Sequence, residues 1–384
     1  MKVTKLFKSF IENEKSGGIL LICCTVLSLL IANSNSGIAY HEFWTGPKLG
    51  HSIEFWVNDG LMTIFFLLVG LELKREIYVG ELSRIKEAML PLMGALGGML
   101  IPAGIYLLFN AGTTEQSGMG IPMATDIAFA LGVLSLLGKN VPIGLRVFLT
   151  ALAVIDDLGA IVVIGLFYSS SMSWMNLGIA LSIFGLLLLL NKQKVNNLLP
   201  YLIGGVTMWY FMLHSGVHAT ISGVLLAITI PLNNGSDKSP ASVLESFLHL
   251  PVPFIILPIF ALANTAIIIE GHVSDIFVHS YGIGIAMGLI IGKPLGIFLF
   301  SYISTSLGWS QLPKGIQWKS LFSVGILGGI GYTMSIFIAL LAFDDKHIID
   351  NSKLAILISS SIAAIIGLMA VHYSLKKPEK VISS

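Results

Sequence analysis

The chain has 384 residues, 55% of them hydrophobic and only 11% charged, and its mean hydropathy is +0.86. Soluble domains carry about 25% charged residues, so a water-soluble enzyme is excluded. Lys and Arg (22) nearly balance Asp and Glu (21), which leaves no basic field for nucleic acid.

A helical crossing of the bilayer takes about 20 mostly apolar residues. Apolar runs centre on 17–32, 55–73, 88–109, 119–137, 142–168, 174–190, 198–213, 216–231, 251–269, 281–303, 319–343 and 353–374. They predict an all-α polytopic membrane protein with twelve transmembrane helices in a single domain over residues 1–384. The first run follows Lys2, Lys5 and Lys8 like the core of a leader peptide. It is read as a retained helix because further spans follow it. Cys23 and Cys24 are adjacent within that run and offer neither a disulfide framework nor metal-ligand spacing.

Loop charge sets the orientation. With the amino terminus inside, only Lys48, Lys346 and Lys353 fall outside and only Lys293 lies within a span. Every other Lys and Arg is then cytoplasmic, as are both termini. The outside loop 33–54 contains Tyr40, His41, Trp44, Gly46 and Pro47 and is expected to hold a small periplasmic hairpin. The main cytoplasmic connection, Pro231–Leu250, carries an Asn233-Asn234-Gly235 turn signal. Residues 375–384 are read as a short cytoplasmic tail.

Two runs are ill suited to a straight helix. Span 4 begins Gly118-Met-Gly-Ile-Pro-Met-Ala-Thr-Asp126, and span 11 contains Gly325-Ile-Leu-Gly-Gly-Ile-Gly-Tyr-Thr-Met-Ser335. In each, a Thr precedes a Phe by four residues (Thr125 and Phe129, Thr333 and Phe337). Paired interrupted segments of this kind mark midplane sites in inverted-repeat transporters. Glycines that merely allow close helix packing are the alternative.

Ionisable groups inside a membrane are costly and mark function. Asp126 lies in span 4, Asp156 and Asp157 in span 5 and Lys293 in span 10. The Asp pair sits between Ala151–Ile155 and Leu158–Ile164, with no loop on either side. Adjacent helical residues point about 100° apart, so both carboxylates cannot face lipid cheaply. Such a pair shares protons and can also hold Na⁺, a hard cation suited to carboxylate, carbonyl and hydroxyl oxygens. Lys293 can pair with one Asp but cannot neutralise three. Asp126 beside an interruption would offset the positive end of a helix, and a Lys the negative end.

Further candidates lie near the ends of spans. Glu72-Leu-Lys-Arg-Glu76 closes span 2, where it is either a snorkelling anchor or a cation-attracting, pH-responsive mouth that Glu245 and His249 could join. His218, in His214-Ser-Gly-Val-His-Ala-Thr220, is either an interfacial histidine or a group responsive near neutral pH.

Six segments in order give the chain, over nearly its whole length, a resemblance to the NhaA family of bacterial Na⁺/H⁺ antiporters. They are Phe65–Glu76, Ala124–Gly132, Ile155–Ala160, His214–Thr220, Ile291–Gly296 and Gly328–Phe337. The family is itself a type example of inverted-topology repeats. The resemblance implies discontinuous helices at spans 4 and 11 crossing near the midplane. It makes Asp157 the central ion- and proton-exchanging carboxylate, with Asp156 as its partner, alternating between proton uptake and a salt bridge to Lys293. Thr125 lies near the ion, and Asp126 and Lys293 compensate the broken helices. It assigns Glu72, Arg75, Glu76 and Glu245 to a cytoplasmic pH-response cluster and His218 to the pH profile. It also implies homodimers in the inner membrane, transported Na⁺, Li⁺ and H⁺, and no cofactor. The chain has Ser242 where the family type has Lys, and Ser246 where it has His. Both positions belong to the pH-response region.

The function this implies is electrogenic, pH-regulated exchange of cytoplasmic Na⁺ for external H⁺ by alternating access. Two other classes fit the sequence less well. An intramembrane prenyltransferase needs more Asp and a cationic diphosphate site than Asp156-Asp-Leu-Gly-Ala160 offers. A Na⁺-coupled organic solute transporter lacks an intramembrane Arg pair for an anionic substrate.

Overall fold

The computed structural model describes residues 14–48, 50–138, 141–168, 172–232, 239–269, 272–313 and 316–375. The lysines before residue 14, the Asn233-Asn234-Gly235 turn and the tail beyond 375 lie outside the described residues.

In chain order, α1 (Glu14–Ala32) is followed by α2 (Gly37–Thr45), bent from it by 116°. A two-stranded antiparallel hairpin follows, β1 (Pro47–Lys48) with β2 (His51–Ser52), in which Pro47 pairs with Ser52 and Lys48 with His51. Next come α3 (Ile53–Tyr78) and α4 (Ile85–Asn110). A 3₁₀ segment, Thr114–Met123, leads to α5 (Ile127–Ser135). Then follow α6 (Ile143–Phe167), α7 (Trp174–Lys192), α8 (Leu198–Leu213), α9 (Ile221–Thr229), α10 (Pro240–Asn264) and α11 (Ser280–Ser306). The chain closes with α12 (Trp318–Gly328), α13 (Tyr332–Ala342) and α14 (Lys346–Leu375).

Among the described residues, eight helices are long and apolar enough to cross a membrane, or up to ten if each bent pair counts as one span. Their outer faces carry exposed Leu30, Leu186, Val206, Ile365 and many others. Such surface suits lipid and not water, and helices satisfy their own backbone there. The chain is a polytopic helical membrane protein. Two expected runs form shorter helices: 198–213 gives the 16-residue α8, and 216–231 gives only the nine residues of α9. Gly216 adopts a positive φ of 83°, which turns the chain before α9.

Two elements differ from the sequence expectation. α10 starts at Pro240, inside the stretch read as a cytoplasmic connection, because Ser239 accepts from the Ser242 N–H and Pro240 follows as a natural first helical residue. α14 begins at Lys346, seven residues before the apolar run at 353–374, so Lys353 lies inside the helix and is 5% exposed.

Packing builds the site. α4 and α11 form an extensive helix contact, and a Cβ on Gly97 or Gly296 would strike the backbone of the other. Small residues here let the two backbones meet. α3 packs on α9, α14 packs on α12 and α13, and α1 packs on α5. Three stretches widen to π-turns: Trp56–Leu61 in α3, Val252–Ile256 in α10 and Gly288–Gly292 in α11, the last immediately before Lys293. Asn58 and Asn264 exchange amide hydrogen bonds at 3.4 and 2.8 Å, joining α3 to α10.

Candidate functional site

The interruption after Thr114–Met123 follows from Gly118, Gly120 and Pro122. Pro lacks an N–H and Gly lowers helix stability. Ala124 is extended, and Asp126 caps α5 by accepting from the Phe129 N–H at 2.9 Å. The second interruption falls at Gly329–Gly331, where α12 and α13 are bent by 47°. Each interruption leaves unsatisfied backbone groups at its helix ends.

Those groups are met from across the two breaks. The Asp126 N–H donates to the Ile330 carbonyl at 2.7 Å. Asp126 Oδ2 accepts from the Thr333 N–H at 3.1 Å and from its hydroxyl at 2.5 Å. One carboxylate therefore faces the N-terminal, partly positive ends of α5 and α13. Thr125 Oγ1 lies 2.9 Å from the Gly328 carbonyl at the end of α12. Ser335 donates to the Ile121 carbonyl at 2.7 Å, and Ser360 of α14 accepts from the Tyr332 N–H at 3.1 Å. The sequence places Ser335 in the second interrupted segment but gives no sign of Ser360. Hydroxyls are common in apolar helices, and no local pattern distinguishes those that bridge a break.

Asp156 and Asp157 face this crossing from α6. Asp156 Oδ2 accepts from Lys293 Nζ at 2.7 Å and from Thr125 Oγ1 at 2.8 Å. Lys293 also donates to the Met123 carbonyl, at the partly negative end of the 3₁₀ segment. Among the described residues, Asp157 Oδ1 is buried with no hydrogen-bond partner, as is Asp156 Oδ1. Thr125, Asp126, Asp156, Asp157 and Lys293 are all buried. The structure thus brings together the five candidates named for the central site. An unpaired carboxylate in an apolar interior is costly unless it holds a proton or a cation. Among the described residues no group of three or more His, Cys, Asp and Glu side chains is placed to hold a metal ion. Two carboxylates with nearby Thr and carbonyl oxygens suit a weakly held hard monovalent cation better than a tightly bound transition metal.

The second group of candidates also converges. Arg75 Nη1 lies 2.7 Å from Glu245 Oε1, and Arg75 Nη2 lies 3.2 Å from Glu76 Oε1. His249 Nε2 lies 3.7 Å from Glu72 Oε1 and 3.6 Å from Glu245 Oε1. The cluster joins the end of α3 to the first turns of α10. Nearby, Lys74 donates to the Ile228 carbonyl at 2.7 Å and the Ala227 carbonyl at 3.3 Å, capping α9. His218 is elsewhere. Its Nε2 lies 2.8 Å from the carbonyl of Tyr168, which follows the last residue of α6, so it touches neither the Glu72 cluster nor the aspartates.

Comparison with known proteins gives the same direction. The family model described as Na⁺/H⁺ antiporter 1 matches residues 8–371. A Na⁺/H⁺ antiporter NhaA of Flavobacterium psychrophilum is 62% identical over 98% of this chain and 98% of its own length. Proteins of the same name from Dechloromonas aromatica and Vibrio campbellii are 56% and 47% identical, covering 97% of this chain in both cases and 97% and 96% of their own lengths. With a family model spanning nearly every residue and relatives matched end to end, the chain belongs to the Na⁺/H⁺ antiporter 1 family.

Proposed function

We propose that this protein extrudes cytoplasmic Na⁺, and Li⁺, in exchange for external H⁺ by alternating access. It is a transporter, with Na⁺ and H⁺ as its substrates, as its family membership states. The single observation that carries the mechanism is the buried Asp157, whose Oδ1 has no partner among the described residues, beside an Asp156 whose Oδ2 is already engaged by Lys293 and Thr125.

In this reading Na⁺ reaches Asp157 from the cytoplasm and displaces its proton. Asp156 leaves Lys293 and takes part in ion binding. The loaded site turns outward, external H⁺ displaces Na⁺, and the protonated site returns. Competition for one pair of carboxylates couples the fluxes without both ligands being bound together. Two carboxylates allow more than one H⁺ per Na⁺, hence net charge movement driven by the inward proton gradient. Asp126 and Lys293 hold the opposite ends of the interrupted helices while the site moves.

The same reading makes the two interruptions discontinuous spans of an inverted repeat, crossing near the midplane. α8 and α9 then complete twelve crossings in one domain. The hairpin face is external, and the Glu72–Glu245 face and both chain ends are cytoplasmic. Glu72, Arg75, Glu76, Glu245 and His249 form a pH-responsive mouth, and His218 modulates the profile from the far end of α6. The protein sits in the inner membrane as a homodimer among lipid and takes no cofactor.

The test uses everted vesicles from an antiporter-deficient host, energised to an acid interior and followed with a ΔpH dye. Na⁺ and Li⁺ should dissipate the gradient, and Asp157→Asn should abolish the response. No response from about pH 6.5 to 9, a range that begins at imidazole titration, would overturn the reading.

A further inference from the structure

Lys353 is a cation without a place in the mechanism above. It lies in α14, 5% exposed, and its Nζ is 3.7 Å from Glu54 Oε1 and 3.9 Å from Asp350 Oδ1. Asp350 is one turn away on the same helix. Glu54 belongs to another element, the first turn of α3, which Ser52 caps. A buried ammonium needs its carboxylates, because removing one leaves charge in a poorly solvated place.

The pair joins two parts of the molecule. α3 packs on α9 and on the first turns of α10, while α14 packs on the interrupted α12 and α13. Lys353 and Ser360 are seven residues apart, two helical turns, and so share a face of α14. Ser360 holds the Tyr332 N–H at the start of α13. A shift of α14 at Lys353 is thus passed directly to the crossing. At the other end of α3, Glu72 and Arg75 meet α10. Eighteen helical residues separate Glu54 from Glu72, about 27 Å, so the two ion-pair groups lie on opposite faces of the membrane. On the Glu54 face, α2 packs against the first turn of α3. There the exposed Lys346 Nζ lies 2.6 Å from His41 Nε2, so α14 also meets α2.

We propose that the Glu54–Lys353 pair is a latch on the hairpin face. It holds α14, and through it the crossing, against α3 while the ion site is closed to that side, and it separates when the site opens there. This rests on the alternating-access reading. The latch gives Lys353 a reason to be charged and buried far from the ion: the contact is strong enough to close a face and exposed enough at Glu54 (24%) for water to replace it.

The experiment measures distance between spin labels at Glu42 on α2 and His347 on α14, in full-length protein in proteoliposomes, with Cys23 and Cys24 replaced by Ser. Glu54→Gln, which keeps the shape and removes the charge, should raise the long-distance population about two- to fivefold, the equilibrium shift expected of a partly exposed ion pair. The charge-swapped double variant, Glu54→Lys with Lys353→Glu, should restore the parent distribution. Na⁺/H⁺ exchange by the parent is measured in the same vesicles. An unchanged distribution for Glu54→Gln in an exchanging parent overturns the latch. A parent that does not exchange overturns the antiport reading, and the distances still decide whether the pair holds the two helices together. If the Lys353 variant does not fold, Glu54→Gln alone decides the matter.

Discussion

Asp156 and Asp157 are neighbours in sequence and both buried, yet Asp156 takes hydrogen bonds from Lys293 and Thr125 on its Oδ2, while Asp157 Oδ1, like Asp156 Oδ1, has no partner among the described residues. The helix supplies the difference. Successive side chains diverge by about 100°, so the two carboxylates meet the crossing from different directions.

This asymmetry predicts unequal effects of the two amide substitutions. Asp157→Asn should reduce Na⁺-dependent ΔpH dissipation below detection, because the amide offers neither charge nor an exchangeable acid proton. Asp156→Asn should retain measurable exchange with altered charge stoichiometry, since Lys293 then loses its partner. Equal loss in both variants, with protein confirmed in the membrane, would contradict the division of roles.

Thr125→Val removes the hydroxyl shared by Asp156 and the Gly328 carbonyl while preserving shape. A hydrogen bond to a charged group contributes about 1.5–3 kcal/mol, so the apparent KM for Na⁺ should rise about tenfold or more, since each ~1.4 kcal/mol is tenfold. Vesicle assays over a Na⁺ series give the answer. An unchanged KM would place Thr125 outside ion binding.

Asp126→Ala should cost stability more than Asp126→Asn. Asn still caps the Phe129 N–H, and a lost cap costs about 1 kcal/mol. Both variants strand the buried Thr333 N–H, at about 1–3 kcal/mol, because the Asn amide nitrogen cannot accept in place of Oδ2. Thermal unfolding in detergent should show Asp126→Ala below Asp126→Asn in Tm, and both below the parent. The reverse order would remove the capping role.

The Glu72 cluster gives a signed pH prediction. Protonated His249 is attracted to Glu72 and Glu245, and the attraction is lost when alkali removes the proton. His249→Gln cannot make the charged contact and resembles the alkaline state at every pH. If loosening this cluster activates transport, the variant should begin to exchange at lower pH than the parent. A profile identical to the parent's would exclude His249 from the response.

Gly97 and Gly296 hold α4 and α11 in backbone contact just beyond Lys293. Gly296→Ala should force the helices apart, move Lys293 from Asp156 and lower both Tm and exchange. Gly104, which has open space where its Cβ would go, is the matched control, and Gly104→Ala should leave both unchanged.

Much of the central site was legible because charge in an apolar run is conspicuous. Asp126, Asp156, Asp157 and Lys293 stood out for that reason alone. Thr125 did not, and only the family resemblance placed it near the ion. The burial of Lys353 within a helix was not legible, because hydropathy marks where a run becomes apolar, not where a helix begins, and α14 starts seven residues before that run. The convergence of Arg75, Glu76, His249, Glu72 and Glu245 depends on α10 beginning at Pro240, a cap and proline signal that was weaker than the polar composition around it. Ser360 and Thr333 act across breaks more than 25 residues apart in sequence, a separation that no local pattern encodes.

The wide turn at Gly288–Gly292 makes tolerance to deletion uneven along the chain. A π-turn holds about one residue more than an α-turn. Deleting one residue there would tighten the turn to an ordinary α-helix and leave Lys293 facing Asp156. Deleting one residue between Ile143 and Asp156, in the regular turns of α6, would rotate both aspartates by about 100° relative to the start of that helix. Among sequences of this architecture, a one-residue gap is therefore admissible just before the lysine and disabling just before the aspartates.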